Sequence, residues 1–325
     1  MGREVTARGP AARRLVVNAD DLGLTVGVND GIFDACDHGI LTSASLFASA
    51  PATEDAIRRS SDRPSLGVGC HLALVDGRPT LPPERVPTLV GEDGRFRSSW
   101  KPLLAACLRG RVSLVEVERE LTAQVDRLRS EGISLTHLDA HKHVHAFPPI
   151  FDIVVKLGAR FGIAVVRVPY ERVPRPVPRG SRVGAAGRPD DVRARAIARK
   201  QALLNLAMWP WARRDRHIAA AHGIATPHLV GRIHTGVLTF SALAQILPLL
   251  GPGVTELMVH PGYVDDALAH SSTRLLVSRV REVELLCSHE TRALVDAEHL
   301  KLVRHDADRS RSSAFSAQRS LRHAS

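Results

Sequence analysis

Two adjacent carboxylates, Asp20-Asp21, follow the apolar run Leu15-Val16-Val17 and open the block Asn18-Ala19-Asp20-Asp21-Leu22-Gly23. His71 closes a second apolar run, Leu66-Gly67-Val68-Gly69-Cys70, and His260 follows a third, Glu256-Leu257-Met258-Val259. The block Asp139-Ala140-His141-Lys142-His143-Val144-His145 follows a fourth, Ile133 to Leu138. One such residue argues little, because an Asp at a strand end is usually a helix N-cap and a lone His is usually a satisfied structural residue. Four apolar runs that end alike argue more. In α/β folds the C-terminal ends of parallel strands converge on one face, where ligands bind. Asp20, Asp21, His71, Asp139, His141 and His260 are therefore expected to form one cluster.

These residue types suit a divalent metal. In extended backbone His141, His143 and His145 point to one side; on a helix only the first and last do. Either arrangement presents imidazoles to a single point. Two His and one carboxylate leave positions open for water and substrate, whereas a structural zinc wants a closed set of four, commonly with Cys. The four Cys, at 36, 70, 107 and 287, are scattered and form no CxxC pair. An open site suits hydrolysis, because a metal lowers the pKa of its water and polarises the carbonyl under attack. Of two adjacent acids, one can ligate while the other takes the proton from the water. A two-carboxylate glycosidase using Asp20 or Asp21 with Asp139 is a competing reading, but it leaves His71 and His141 idle. A non-catalytic sugar- or lipid-surface-binding protein is a third, and the intact acid–acid–His–His set argues against it.

The elements that must position this cluster read as an α/β chain. Short apolar runs predict strands at 15–17, 41–48, 66–70, 133–138, 163–168 and 256–259. Helices are expected at 31–39, 191–207, 240–250 and 273–288, and after Pro148-Pro149. The clearest is 113–131: Ser113 and Glu116 form a capping-box pattern, Leu114, Val117, Leu121, Val125 and Leu128 make one stripe, and Gly132 stops it. Residues 171–190 are rich in Pro, Gly and Arg and read as an excursion. Strand–helix alternation without a GxGxxG after the first strand favours an α/β barrel over a dinucleotide fold.

Length and charge narrow the class. The chain has 325 residues and a formal net charge of +10. Residues 1–14 carry net +3, residues 171–216 net +8 and residues 304–325 net +3, so the remainder is about −4. The body is mildly acidic, and the basic character belongs to an insert around 171–216 and to the ends, 1–12 and 304–325, which read as disordered tails. No zinc-finger, RNP-type or basic-helix signature accompanies the charge, so no nucleic-acid partner is expected. The insert holds Trp209 and Trp211 beside Arg213, Arg214 and Arg216, a mixture suited to a membrane interface. No apolar run reaches the length of a membrane span, and no apolar h-region follows the first arginines. A reducing, cytoplasmic setting is the expectation, with peripheral membrane association through the insert.

Over roughly residues 13–300, within a barrel domain expected to span 13–303, the chain resembles the YdjC-like (ChbG) carbohydrate deacetylases. The matching blocks are Asn18 to Gly23, Leu41-Thr42-Ser43-Ala44-Ser45, Gly69-Cys70-His71-Leu72, Thr136 through His145, and Val259-His260-Pro261-Gly262-Tyr263. The resemblance implies a single-domain distorted (β/α) barrel of the YdjC/NodB-like type. It also implies a divalent metal, magnesium in the family, with zinc, cobalt or nickel compatible with two imidazoles, and removal of acetyl groups from N-acetylated sugars. By motif, Asp21, His71 and His141 would be the metal ligands, Asp20 the general base and His260 the acid that protonates the leaving amine. His143 and His145 would face the substrate, and Asp139 would orient a ligand imidazole. The segment 81–87, the basic insert, and Trp209-Pro210 followed by His222-Gly223-Ile224 resemble the hopanoid-biosynthesis-associated branch. That branch implies an N-acetylglucosaminyl hopanoid lipid as substrate; soluble chitooligosaccharides are the alternative. Such barrels also commonly pair as homodimers.

Overall fold

The computed structural model describes residues 12–172 and 189–307. The N-terminal residues 1–11, most of the Arg/Pro-rich excursion (173–188) and residues 308–325 of the expected C-terminal tail lie outside the described residues.

Among the described residues, seven strands form one sheet. In chain order they are β1 (Arg13–Leu22), β2 (Ser43–Leu46), β3 (Gly67–Leu72), β4 (Leu138–Ala140), β5 (His228–Val230), β6 (Gly253–Val259) and β7 (Lys301–Leu302). The order across the sheet is β4-β3-β2-β1-β6-β5, with β7 also on β1, and every pairing is parallel. The helices are α1 (Val26–Asp37), α2 (Thr53–Ser61), α3 (Trp100–Leu108), α4 (Leu114–Ser130), α5 (Pro148–Phe161), α6 (Pro189–Ala207), α7 (Trp209–Ala221), α8 (Phe240–Ile246), α9 (Asp266–Ala269), α10 (Val277–Cys287) and α11 (His289–Ala297). The result is the expected single α/β domain, a curled half-barrel of parallel strands surrounded by helices.

The sheet is closed differently from the sequence expectation. No ladder strand forms over 163–168. Instead Val166 bridges Leu138 of β4, Val165 bridges Ala225, and Glu171 bridges Leu229 of β5, each as a single parallel bridge. This segment is the stave between the two sheet edges, and its bridges carry the chain from β4 towards β5. The expected strand over 133–138 shrinks to Leu138–Ala140, which moves Asp139 from the residue after the strand into it.

Helix α4 follows its pattern, with Val117, Leu121, Val125 and Leu128 buried and Leu114 exposed at the first turn. The capping box is half realised. Ser113 Oγ accepts from the Glu116 backbone N–H, but the Glu116 carboxylate turns away to accept from Thr88 N–H and Oγ1–H at 2.8 Å each. At the C-terminal end of the chain, residues 304–307, assigned to the tail by sequence, pack on the body. Arg304 donates to the Pro64 carbonyl and Asp306, and the buried His305 ring lies 4.1 Å from that of His137.

Candidate metal centre and active site

Strand β1 delivers both acids through a bulge. Its register with β2 runs Asn18 to Ser43 and Ala19 to Ala44, then resumes at Leu22 to Leu46, so β1 carries one extra residue. Asp21 occupies that irregularity with φ 73°, a left-handed conformation tolerated best by Gly, Asn and Asp. In a regular strand neighbouring side chains face opposite ways. Here both carboxylates reach the same cluster: Asp21 lies with His71 and His141, and Asp20 with His71 and Asp139, each set having its ligand atoms within 4.8 Å of one another.

The first set has the geometry of a cation site. Asp21 Oδ1 is 3.4 Å from His71 Nε2 and 3.1 Å from His141 Nδ1. Each imidazole has its far nitrogen on a carboxylate. His71 Nδ1 is 2.8 Å from Asp139 Oδ1, and His141 Nε2 is 3.2 Å from Asp76 Oδ2. With the far nitrogens as donors, the lone pairs of His71 Nε2 and His141 Nδ1 aim at Asp21, which is how carboxylates orient ligand imidazoles in metal sites. The other Asp21 oxygen accepts from Arg279 Nη2 at 2.6 Å. Phe47 packs its ring against both imidazoles, with centroids at 4.8 and 5.1 Å, and lines an apolar cleft with Leu24, Ala50, Pro51 and Val75 beside His141.

The electrostatics of this set favour a positive charge. Burial alone would depress the His71 imidazole, but Asp139, Asp21 and Asp20 outweigh it and raise it to about 10. His141 is raised against its burial by Asp21 and Asp76. Burial works to raise Asp21, yet Arg279, His141 and His71 hold it well below the usual carboxylate range. The surrounding carboxylates thus favour positive charge at both imidazoles, the charge that a metal would bring. The converging Asp21, His71 and His141 atoms, each braced from behind, fit a divalent cation. The second set fits less well, because Arg167 already occupies both its carboxylates.

Arg167, fully buried, is the hub of the site. Its Nη1 and Nη2 donate to Asp20 Oδ2 and Oδ1, each at 2.7 Å, Nη1 lies 2.7 Å from Asp139 Oδ2, and Nε donates to Glu256 Oε1 at 2.7 Å. Asn18 Nδ2 also donates to Asp20 Oδ1 at 3.1 Å. Burial raises Glu256 to about 7, against the pull of Arg167. His260 places Nε2 3.9 Å from Asp20 Oδ2, and its backbone N–H donates to Glu282 Oε2 at 2.6 Å. Burial depresses its imidazole to about 4, although Asp20 and Asp21 oppose this. The His260 loop sits close on α1. A Cβ added at Gly31 would come within 2.5 Å of the Gly262 Cα, so this approach needs glycine.

The histidine block adopts neither arrangement expected for it. Residues His141–Ala146 form a 3-10 turn in which Lys142 and His143 take left-handed φ of 50° and 56°. The turn disperses the three imidazoles, and only His141 reaches Asp21. His145, expected to face substrate, is fully buried. Its Nε2 is 2.8 Å from the Arg167 carbonyl and its ring stacks on Phe151, so it braces the Arg167 segment. His143 is half-buried beside His145, with Nδ1 unpartnered. Arg167, Glu256, Arg279 and Asp76 were missed from the sequence. Arg167 and Glu256 did carry a signal, since each is a charge inside an otherwise apolar run, Ile163 to Val168 and Gly253 to Val259.

Comparison with known proteins gives the family and the fold. The family model described as YdjC-like protein matches residues 14–297. A carbohydrate deacetylase from Brevibacillus brevis is 31% identical over 297 residues, covering 89% of this chain and 97% of that protein. One from Geobacillus stearothermophilus is 44% identical over 153 residues, 47% of this chain and 59% of that protein's own length. The crystal structure of an Enterococcus faecalis protein, named provisionally for cellobiose-phosphate cleavage, superposes with a TM-score of 0.70 over 91% of this chain and 98% of that chain. Its 23% identity makes that a likeness of fold. A match running from the start of β1 to the end of α11 takes in strands β1 to β6 and every residue of the cluster: the chain belongs to the YdjC-like protein family.

Proposed function

We propose that the protein is a metal-dependent carbohydrate deacetylase, a hydrolase that removes the N-acetyl group of an amino-sugar conjugate. The observation that carries this reading is the convergence of Asp21 Oδ1, His71 Nε2 and His141 Nδ1 beside a second carboxylate, Asp20, held by Arg167. The names of the full-length relatives support the reaction class.

A divalent cation held by Asp21, His71 and His141 would lower the pKa of a water and polarise the amide carbonyl. Magnesium is the family's metal, while two imidazoles among three ligands suit zinc, cobalt or nickel. Asp20 takes the proton from the attacking water, its orientation set by the two-pronged contact from Arg167. His260 serves the leaving nitrogen. Its imidazole is neutral in the resting site, so the proton it delivers is the one Asp20 has just accepted, 3.9 Å away. Asp139 and Asp76 hold His71 and His141 in orientation, and His143 remains the imidazole placed to meet substrate. The apolar cleft along Phe47 suits the acetyl methyl or a sugar face.

Within this class we take the substrate to be an N-acetylglucosaminyl hopanoid lipid, supported by the likeness of segments 81–87 and 209–224 to that branch. Among the described residues no helix is long and apolar enough to cross a membrane; this reading has the protein meet such a lipid at the membrane surface. The experiment is acetate release from a chitooligosaccharide and from the glycolipid, each with and without EDTA. Metal-dependent release from the lipid alone supports both levels. Release from the soluble sugar alone keeps the reaction and discards the lipid, and release that survives EDTA discards the metal. No acetate from either would favour the non-catalytic binding protein.

A further inference from the structure

We propose that the corner between α6 and α7 is a lipid-docking face that presents the site to a membrane surface. It carries an unusual run of exposed large apolar side chains: Leu203 is 71% exposed, Leu204 57%, Leu206 62%, Trp209 48% and Trp211 40%. At 3.6 residues per turn, Leu203, Leu206 and Ala207 share the stripe that Arg199 and Lys200 continue, and all five are exposed. Scattered single apolar residues on a surface are ordinary, but a contiguous patch marks something it contacts.

Three observations select a lipid surface. The rim is cationic: Arg199 and Lys200 flank the leucines, and the Arg213 guanidinium lies 6.0 Å over the Trp209 ring. Indole rings beside basic side chains suit the boundary between headgroups and acyl chains. A twofold contact between copies of this chain would set the same cationic rim against itself, which costs energy where an anionic leaflet gains it. The patch is also joined to the site. The Trp211 ring packs edge-on against Phe147, the residue after the His141–Ala146 turn, with centroids 6.4 Å apart. On its buried side α6 is pinned to the loops at the C-terminal end of the sheet. Asn205 exchanges hydrogen bonds with the Glu171 backbone and accepts from Arg232.

The arginines singled out by sequence are mostly spent elsewhere. Arg214 pairs with Asp152 and Asp215, and Arg216 sits 5.6 Å over the Tyr170 ring. Leu203, Leu206 and Trp209 provide insertion, and Arg199, Lys200 and Arg213 provide charge.

The proposal rests on the lipid-linked substrate reading for its purpose, and its test separates the two. The full chain is floated with phosphatidylcholine vesicles with and without phosphatidylglycerol, and acetate release from a soluble N-acetylated sugar is followed in parallel. Wild type should float, more on the anionic vesicles. L203E/L206E should lower the bound fraction about ten-fold or more on both, and R199E/K200E should lower it only on the anionic ones. Turnover of the soluble sugar should be unchanged in both variants. Wild type that does not float, or floats equally well with L203E/L206E, overturns the proposal. So does a wild-type dimer that L203E/L206E splits into monomers without altering flotation. Vesicle binding with acetate released only from the soluble sugar supports the docking face and sinks the lipid substrate.

Discussion

Arg167 and Asp20 meet through two parallel hydrogen bonds of 2.7 Å, with both groups buried. The same guanidinium also touches Asp139 and Glu256, so one cation orients the acid proposed as base, the carboxylate behind His71, and a third acid in β6. Replacing Arg167 by Met removes the cation shared by three buried carboxylates, of which only Asp139 keeps a hydrogen-bonded imidazole, that of His71. Losing one partner of a buried pair costs about 3–5 kcal/mol, so a large fall in Tm is expected by scanning calorimetry. Arg167→Lys should recover most of the stability but little of kcat, because an ammonium cannot make the two-pronged contact.

Asp20→Asn should retain bound metal and lose turnover by on the order of 10²–10⁴-fold, the contribution of a general base. Metal content by mass spectrometry and acetate release test the two halves separately. A near-normal rate would remove Asp20 from the mechanism.

The imidazoles of the histidine turn should separate cleanly in metal titrations. His141→Ala is expected to lower metal content sharply, whereas His145→Gln should leave it intact, since His145 faces the Arg167 carbonyl. Asp76→Ala removes the carboxylate behind His141, which also pairs with Lys142, and should weaken metal binding about 10–100-fold. Excess metal should then restore turnover. Equal metal loss in the His145 and His141 variants would contradict the geometry described.

His145 also gives a signed pH prediction. Burial depresses its imidazole to about 4 in the folded state, against about 6.5 unfolded. Between those values the unfolded chain holds the extra proton, so this stabilisation is complete above about pH 6.5 and declines as pH falls towards 4. Between about pH 7 and 5 the decline is about 2 kcal/mol. Urea unfolding of His145→Gln should therefore show a shallower loss of stability over that interval than wild type. An equal slope would mean that His145 is charged in the folded protein.

Much of the centre was legible because apolar runs ending in Asp or His are a local pattern. Asp20, Asp21, His71, His141 and His260 all follow from it, and the parallel sheet gathers them. The half-barrel was legible for the same reason. What escaped depends on backbone geometry and on distant partners. Nothing in the spacing of His141, His143 and His145 announces the left-handed residues that disperse them. Asp76 lies in a loop, and Arg279 sits in α10 with nothing local to distinguish it from a surface arginine, although it reaches Asp21 across 258 residues of sequence. Arg167 and Glu256 interrupt apolar runs and were visible as anomalies, but their meaning required seeing each as the other's partner. The segment 163–168 is apolar enough for a strand, yet it makes only single bridges, Val166 to Leu138 and Val165 to Ala225.

The bulge at Asp21 has a mechanical consequence. A single peptide unit joins the acid assigned to the metal and the acid assigned to the water, and its left-handed φ aims both at the same cluster. Their Cα spacing is therefore set by the main chain, and Arg167 and Arg279 hold the two carboxylates in place from either side. Loops on either side can reshape the mouth for different sugars while the two working oxygens stay in step. For the same reason, a β-branched residue at position 21 would shift the neighbouring base as well as remove a ligand. Asn at position 21 tolerates the same φ and would remove the carboxylate with the backbone left at rest.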